Sequence, residues 1–159
     1  MTMHLRTLAI LKDSRGFGAM ELGLSLPFLM LLCLGMMDAS TLIGTKIDYE
    51  QAAQRTTDFA FANRPNGTNT AKYVTEAKNA ADVSAQDVDV DIFLECDGVR
   101  QDNFGDTCAA GEITARFVSV EISKQVETHF DWAGLAHMIG FTAFPSRITV
   151  TGDSLVRFQ

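Results

Sequence analysis

The chain has 159 residues, of which 47% are hydrophobic, and a formal charge of −7 at pH 7. This length is enough for one domain and a membrane anchor. Its acidic balance argues against nucleic acid and anionic lipid headgroups as partners, because both attract basic surfaces.

The first predicted element is a transmembrane helix over residues 17–45. Residues 17–37 form an apolar run in which Glu21 is the only ionisable side chain. A helix of that length extends about 30 Å, the thickness of the hydrocarbon core of a bilayer. Residues 1–16 carry three basic side chains and one acidic side chain. The positive-inside bias therefore predicts a cytoplasmic basic leader and an extracytoplasmic C-terminal domain.

A cleavable signal peptide is the alternative interpretation of the same segment. It fits less well, because the apolar run is longer than a usual signal core and bulky Met37 lies two residues before the exit near Ala39.

Glu21 requires an explanation, since a carboxylate inside a membrane costs about 3 kcal/mol even on insertion scales. Its side chain either reaches the interface from one turn inside the membrane or acquires a partner. The order Gly16, Phe17 and then Glu21 resembles the processing site of type IV prepilins, in which a prepilin peptidase of the inner membrane cuts after the glycine. The resemblance implies a new α-amino group on Phe17, about one turn from the Glu21 carboxylate that it would attract.

Over a wider window, the pattern resembles the TadE-like pseudopilins of Tad (Flp) pilus systems. The resemblance depends on Arg15, Gly16, Glu21 and Pro27, with Asp38 closing the apolar stretch. Major Flp pilins typically carry Tyr after the glutamate and are small subunits. This chain has Leu22 and is far longer, so the resemblance implies a minor subunit.

The resemblance also implies partners and a location. The expected partners are a prepilin peptidase, other pseudopilins, the major pilin, the inner-membrane assembly platform and the lipid bilayer. The expected location is the bacterial inner membrane, crossed once, with the N-terminus cytoplasmic and the C-terminal domain periplasmic. After processing, the protein would be associated with the pilus.

Pro27 lies within the predicted helix and lacks the N–H that would bond the carbonyl of Gly23, which predicts a kink. Ser25 or a neighbouring helix is a possible source of hydrogen bonds there. Membrane helices tolerate proline generally, and a flexible point would also help a subunit leave the bilayer.

A stem helix over residues 46–63 is predicted to continue the first helix, giving one helix from near Phe17 to near Asn63. The alternative is two helices joined near Gly44. The turn formers that begin at Pro65 end the stem. Its apolar positions fall loosely at helical spacing: Leu42, Ile47, Ala52, Ala53, Phe59 and Phe61.

Residues 64–159 are predicted to form an α+β domain. Thr68 or Asn69 caps a helix, and alternating apolar residues then predict strands at Gln86–Glu95, at Ile113–Ser123 and towards the C-terminus, the last bent or bulged near Gly152. We expect about three antiparallel strands packed against the stem.

Asp87, Asp89 and Asp91 alternate along the first strand. They suggest either a calcium site or a solvated sheet face. Strand spacing favours the solvated face, because it separates successive carboxylates by nearly 7 Å.

The three cysteines divide by location. Cys33 lies in the apolar stretch, whereas Cys96 and Cys108 enclose a polar loop in the exported part. We predict a disulfide between the latter two. A zinc site is the alternative, but two widely spaced thiols without a nearby histidine make a poor ligand set.

The connection between the second and third predicted strands is unusually apolar. Its apolar side chains either pack into the hydrophobic core above the sheet or form an exposed patch that contacts a partner. Its candidate contact residues are Phe130, Trp132, Leu135, Met138 and Ile139.

The sequence predicts no enzyme and no cofactor. His129 and His137 lie in the apolar connection without a nucleophile motif, and no phosphate-binding loop or metal-ligand cluster occurs. The favoured function is that of a non-enzymatic minor pseudopilin. The alternative is a permanently anchored periplasmic module for binding or adhesion, and a periplasmic enzyme would need one of the two histidines.

Overall fold

A computed structural model describes residues 17–138, 140–142, 145 and 147–159. The predicted leader with Gly16, and Ile139 in the apolar connection, lie outside the described residues. The chain divides between Ala39 and Ser40 into two compact units. The helices are α1 (Phe17–Ala62), α2 (Ala71–Ala81) and α3 (Trp132–Met138); the strands are β1 (Val88–Cys96), β2 (Val99–Arg100), β3 (Thr114–Glu127) and β4 (Arg147–Arg157).

The described part of the first unit is the N-terminal half of α1. Its large apolar side chains are exposed around the helix, with Leu24 at 86% and Phe28 at 65%. The segment starting at Met20 is long and apolar enough to cross a membrane, judged by length and composition. Helix α1 runs without interruption past Gly44 to Ala62, so the prediction of one long helix is confirmed.

The second unit is a four-stranded antiparallel sheet covered on one face by helices. The strand order is β2-β1-β3-β4, so the α+β class is confirmed and the short β2 adds a strand to the three that were predicted. Ile92 lies opposite Val118 and Val90 opposite Val120. These residues belong to one buried cluster with side chains of α1 and α2.

The predicted stripe of the stem is confirmed in part, since Ala52 and Ala53 are buried and Leu42 and Phe59 pack against the core, but two of its positions are wrong. Ile47 is 47% exposed and Phe61 is 50% exposed. The side chains of the stem that are buried are mostly small and lie at helical spacing: Tyr49, Ala52, Ala53, Thr56, Thr57 and Ala60. The Thr57 hydroxyl bonds the hydroxyl of Ser154 on β4 at 2.9 Å, so small side chains bring the helix close to the strand.

The predicted bulge at Gly152 is wrong. Strand β4 pairs with β3 without interruption, and Gly152 lies opposite Ile122. A Cβ atom at Gly152 would collide with the backbone of Tyr49 and Glu50 on α1. The glycine therefore permits a close approach between helix and strand.

Helix α2 completes the core beside β1. Its Tyr73 and Ala77 are buried, and the Tyr73 hydroxyl donates a hydrogen bond of 2.6 Å to the carbonyl of Asn63. The N-cap residue is Thr70, so the predicted cap at Thr68 or Asn69 is wrong by one or two residues. The side chain of Asn69 nevertheless accepts a hydrogen bond of 3.0 Å from the Ala71 N–H at the start of the helix.

Candidate functional site

The beginning of α1 carries the predicted processing site. The helix starts at Phe17, and Glu21 is exposed among exposed apolar side chains, including Leu22 at 66%. Four residues of helix place Glu21 about 6 Å along the axis from Phe17. This spacing is compatible with an attraction between the Glu21 carboxylate and an amino group on Phe17, but cleavage after Gly16 stays a prediction.

Pro27 lies inside the continuous helix. The nearby Ser25 hydroxyl donates to the carbonyl of Glu21, one turn earlier. A hydroxyl has one proton to donate, so this hydroxyl does not serve the carbonyl of Gly23, which Pro27 deprives of its helical donor. The kink at Pro27 stays a prediction.

Cys96 and Cys108 form a disulfide, with their Cα atoms 5.5 Å apart. The bridge closes the loop between β1 and β3, and Phe104 within that loop is buried in the core. The guanidinium of Arg116 lies 5.0 Å from the centre of the Phe104 ring. The disulfide therefore encloses a loop that is also held by packing.

The zinc alternative is inconsistent with this bridge. Among the described residues, one group of three potential ligands meets the distance requirement for a shared ion: the two bridged cysteines with Glu112. Their sulfur atoms are bonded to each other, so they are not available as the thiolates that a zinc site needs.

The apolar connection contains α3 and has both buried and exposed parts. Ala136 is buried, whereas Met138 is 85% exposed and Phe141 is 66% exposed. The rings of Phe130 and Trp132 lie edge to face, with their centres 4.8 Å apart. Leu135 is half-buried. The connection thus provides some packing and leaves apolar surface exposed, and a partner contact there stays a prediction.

The two histidines of the connection, His129 and His137, are exposed. The neighbouring Asp131 carboxylate accepts a hydrogen bond of 2.8 Å from the Gly134 N–H, which occupies this group at the start of α3. This hydrogen bond gives the Asp131 carboxylate a structural role.

The structure also contains a cleft that the sequence patterns did not indicate. We call it the edge cleft. It has a volume of about 1010 Å³ and lies along β1, with residues of two loops on its walls. Arg100 of β2 lines it and forms an ion pair of 2.7 Å with Asp91. A two-residue strand has too few positions for alternation to reveal it, which is why β2 and this wall were missed.

Comparison with known proteins finds a family match in the N-terminal part of the chain. Residues 16–58 match the model of the family described as TadE-like protein. No curated protein and no solved structure matches the chain. The matched segment begins at Gly16, includes Glu21 and Pro27, and extends into the buried part of α1. Residues 16–58 are thus similar to the TadE-like family, and the match leaves the rest of the chain uncovered.

Proposed function

We propose that the chain is a non-enzymatic minor pseudopilin of a Tad-type pilus. It is made as an inner-membrane precursor with a cytoplasmic leader, processed between Gly16 and Phe17, and assembled through α1. The observation that carries the proposal is the TadE-like match over residues 16–58. The exposed apolar surface of α1 around Glu21 supports it, because such a surface suits a bilayer first and packed helices afterwards.

The role of Glu21 follows from its surroundings. A carboxylate among apolar side chains needs a partner when water is excluded. Processing would supply one, since it creates an α-amino group on Phe17 of the same subunit or of its neighbour. The processed subunit would then have balanced N-terminal charges when it contacts the other pseudopilins, the major pilin and the assembly platform.

The experiment that tests processing is an intact-mass measurement, with N-terminal sequencing, of the full chain made with and without a prepilin peptidase. We expect a start at Phe17 that depends on the peptidase and is lost in Gly16→Leu. An unprocessed chain, or a start beyond Ala39, would contradict the proposal. The conservative Glu21→Gln variant separates the two steps: we expect it to be processed but to fail in assembly.

A permanently anchored binding module is the second candidate, and the edge cleft favours it. Deleting the gene distinguishes the two candidates. Loss of pilus filaments, restored by the wild-type chain and not by Gly16→Leu, supports the pseudopilin. Normal filaments with loss of a binding activity support the module.

A further inference from the structure

Strand β1 is a sheet edge over most of its length. On one side it pairs with β3 from Val88 to Cys96. On the other side β2 pairs only with Glu95 and Cys96. In the part of the chain that the structure describes, no strand pairs with β1 on this second side between Val88 and Phe93.

The backbone groups that face this open side can be identified. The Gln101 N–H donates to the Leu94 carbonyl at 2.8 Å from the β2 side. Successive residues of a strand direct their backbone groups to opposite sides. The N–H and C=O of Ile92 and Val90 therefore point, like those of Leu94, away from β3 and toward the open edge.

These two residues lie on the floor of the edge cleft. One wall is the turn before α2, with Asn66 and Thr68, and the other is the loop of residues 100–105. The disulfide and the burial of Phe104 hold the second wall in place. An exposed edge with a wall on each side is a suitable shape for one added strand.

The charges at the two ends of the cleft select the chemistry of that strand. Asp102 lines the cleft and is exposed, and Asp89 is exposed on β1 just beyond it. Two arginines also line the cleft, and both are engaged. Arg100 pairs with Asp91 at 2.7 Å, and its guanidinium lies 4.4 Å from the centre of the Phe93 ring. The Arg116 guanidinium lies 5.0 Å from the centre of the Phe104 ring and donates to the Gln159 side chain at 2.9 Å. Carboxylates thus flank the open edge at both ends.

The same charges disfavour a second copy of this chain as the occupant. Antiparallel pairing of β1 with its own counterpart would bring the aspartates of one copy, Asp89 and Asp91, close to those of the other. Like charges in facing positions destabilise a strand pair, and charged side chains commonly prevent edge strands from pairing with each other.

We propose that the edge cleft binds an extended segment of a partner protein, which adds to β1 as an antiparallel strand. The segment covers Asp89 to Phe93, carries a basic residue at each end, facing Asp89 and Asp102, and has uncharged residues between them. The backbone groups of Val90 and Ile92 supply the pairing. This binding site goes beyond the role in pilus assembly and does not depend on it.

The test uses the full chain in detergent micelles and a capped peptide, Lys-Val-Thr-Val-Lys. Amide hydrogen exchange is followed by NMR. At a peptide concentration ten times the dissociation constant, we expect exchange at Val90 and Ile92 to slow by about tenfold through mass action. The amides of Asp91 and Phe93 point toward β3 and serve as internal references.

A control peptide, Lys-Pro-Thr-Pro-Lys, keeps both charges but lacks the N–H groups that would face Ile92 and Val90. We expect no slowing with this peptide. Equal slowing by both peptides, or no slowing at saturation by the first, would overturn strand addition. Slowing that depends on protein concentration without any peptide would identify a second copy as the occupant and would equally overturn the proposal.

A pair of matched variants tests the choice of charge. Asp89→Lys reverses a charge beside the cleft, whereas Asp153→Lys makes the same change on β4. Both side chains are exposed, and both residues lie opposite Glu121. We expect Asp89→Lys to weaken binding of the lysine peptide at least fivefold and to favour Glu-Val-Thr-Val-Glu, with Asp153→Lys unchanged, because a reversed charge affects mainly nearby groups. Equal affinities in all three proteins would contradict the assignment.

Discussion

Gly152 on β4 lies directly against the backbone of Tyr49 on α1, with no room between them for a Cβ atom. This contact sets the distance between the stem and the sheet. It is accompanied by a hydrogen bond from the Lys46 ammonium group to the Thr151 carbonyl at 3.1 Å and by the pair of hydroxyls on Thr57 and Ser154. A glycine in a paired strand thus serves helix packing.

We predict that Gly152→Ala destabilises the domain by about 1–3 kcal/mol, because the added methyl group must displace the helix backbone. The measurement is thermal unfolding of the full chain in detergent micelles, followed by near-UV circular dichroism. Gly105→Ala is the control, since a Cβ atom there meets nothing within 4 Å. Equal melting temperatures for Gly152→Ala and the wild type would show that helix and strand are not in close contact.

The sequence predicted the periodic elements well, because their patterns are local. Val88, Val90, Ile92 and Leu94 alternate in the sequence and are buried in the structure.

The stem was less predictable. Its contact face consists largely of alanine and threonine, which carry little hydrophobic signal, whereas the larger Ile47 and Phe61 are half exposed. Which face of a helix packs depends on the surface that it contacts. The stem contacts Gly152, which lies more than 90 residues after Tyr49 in the sequence, so no local pattern reveals this contact.

The sequence predicted the processing motif but not the edge cleft. The order of Gly16, Glu21 and Pro27 is a short linear motif and needs no tertiary information to be noticed. The edge cleft arises because β2 ends after two residues and the chain then turns away. A strand edge is defined by a missing neighbour, and a missing neighbour leaves no residue pattern in the sequence.

The disulfide provides the second prediction. Replacing both cysteines, as Cys96→Ser with Cys108→Ser, should lower the free energy of unfolding by about 3 kcal/mol, since the unfolded loop regains its freedom. Phe104 should become more exposed, because it is buried within that loop. Urea titration of the full chain measures the first effect, and hydrogen exchange at residues 102–106 measures the second.

Cys33→Ser is the matched control for this experiment, since Cys33 is free and exposed. We expect its unfolding transition to coincide with that of the wild type. If the double variant also coincided with the wild type, the packing of Phe104 alone would be sufficient to hold the loop.

Asp87 provides a prediction for pH. The hydroxyl of Ser84 donates to its carboxylate at 2.7 Å and is the main cause of a lowered pKa for Asp87, while burial opposes the shift. The Ser84 N–H adds a further bond at 3.1 Å. Because the folded pKa lies below the ordinary value of 3.8, the stabilisation is fully present above that value and is lost as the pH falls through the folded pKa.

We therefore expect Ser84→Ala to lower the melting temperature at neutral pH and the difference from the wild type to shrink steadily below about pH 4. In the Asp87→Asn background, the effect of Ser84→Ala should no longer depend on pH in this range. A difference that stayed constant down to about pH 2 would assign the role of Ser84 to something other than the carboxylate.

The last prediction concerns Tyr73, which is fully buried and connects α2 to the end of α1. Its hydroxyl donates to the Asn63 carbonyl at 2.6 Å, and its ring lies edge to face with Phe59 at 6.1 Å between centres. Tyr73→Phe keeps the ring and removes the donor. We expect a loss of about 1 kcal/mol from the missing hydrogen bond, because the Lys72 ammonium group also donates to the Asn63 carbonyl at 3.0 Å and keeps it paired.

Tyr73→Ala should cost about 3–5 kcal/mol, because it also removes the ring and leaves a cavity beside Phe59. Urea titration of both variants separates the two contributions. If Tyr73→Phe were as stable as the wild type while Tyr73→Ala was strongly destabilised, the ring alone would join α2 to α1. If both variants lost the same amount, the hydrogen bond to Asn63 would be the contact on which the turn between the two helices depends.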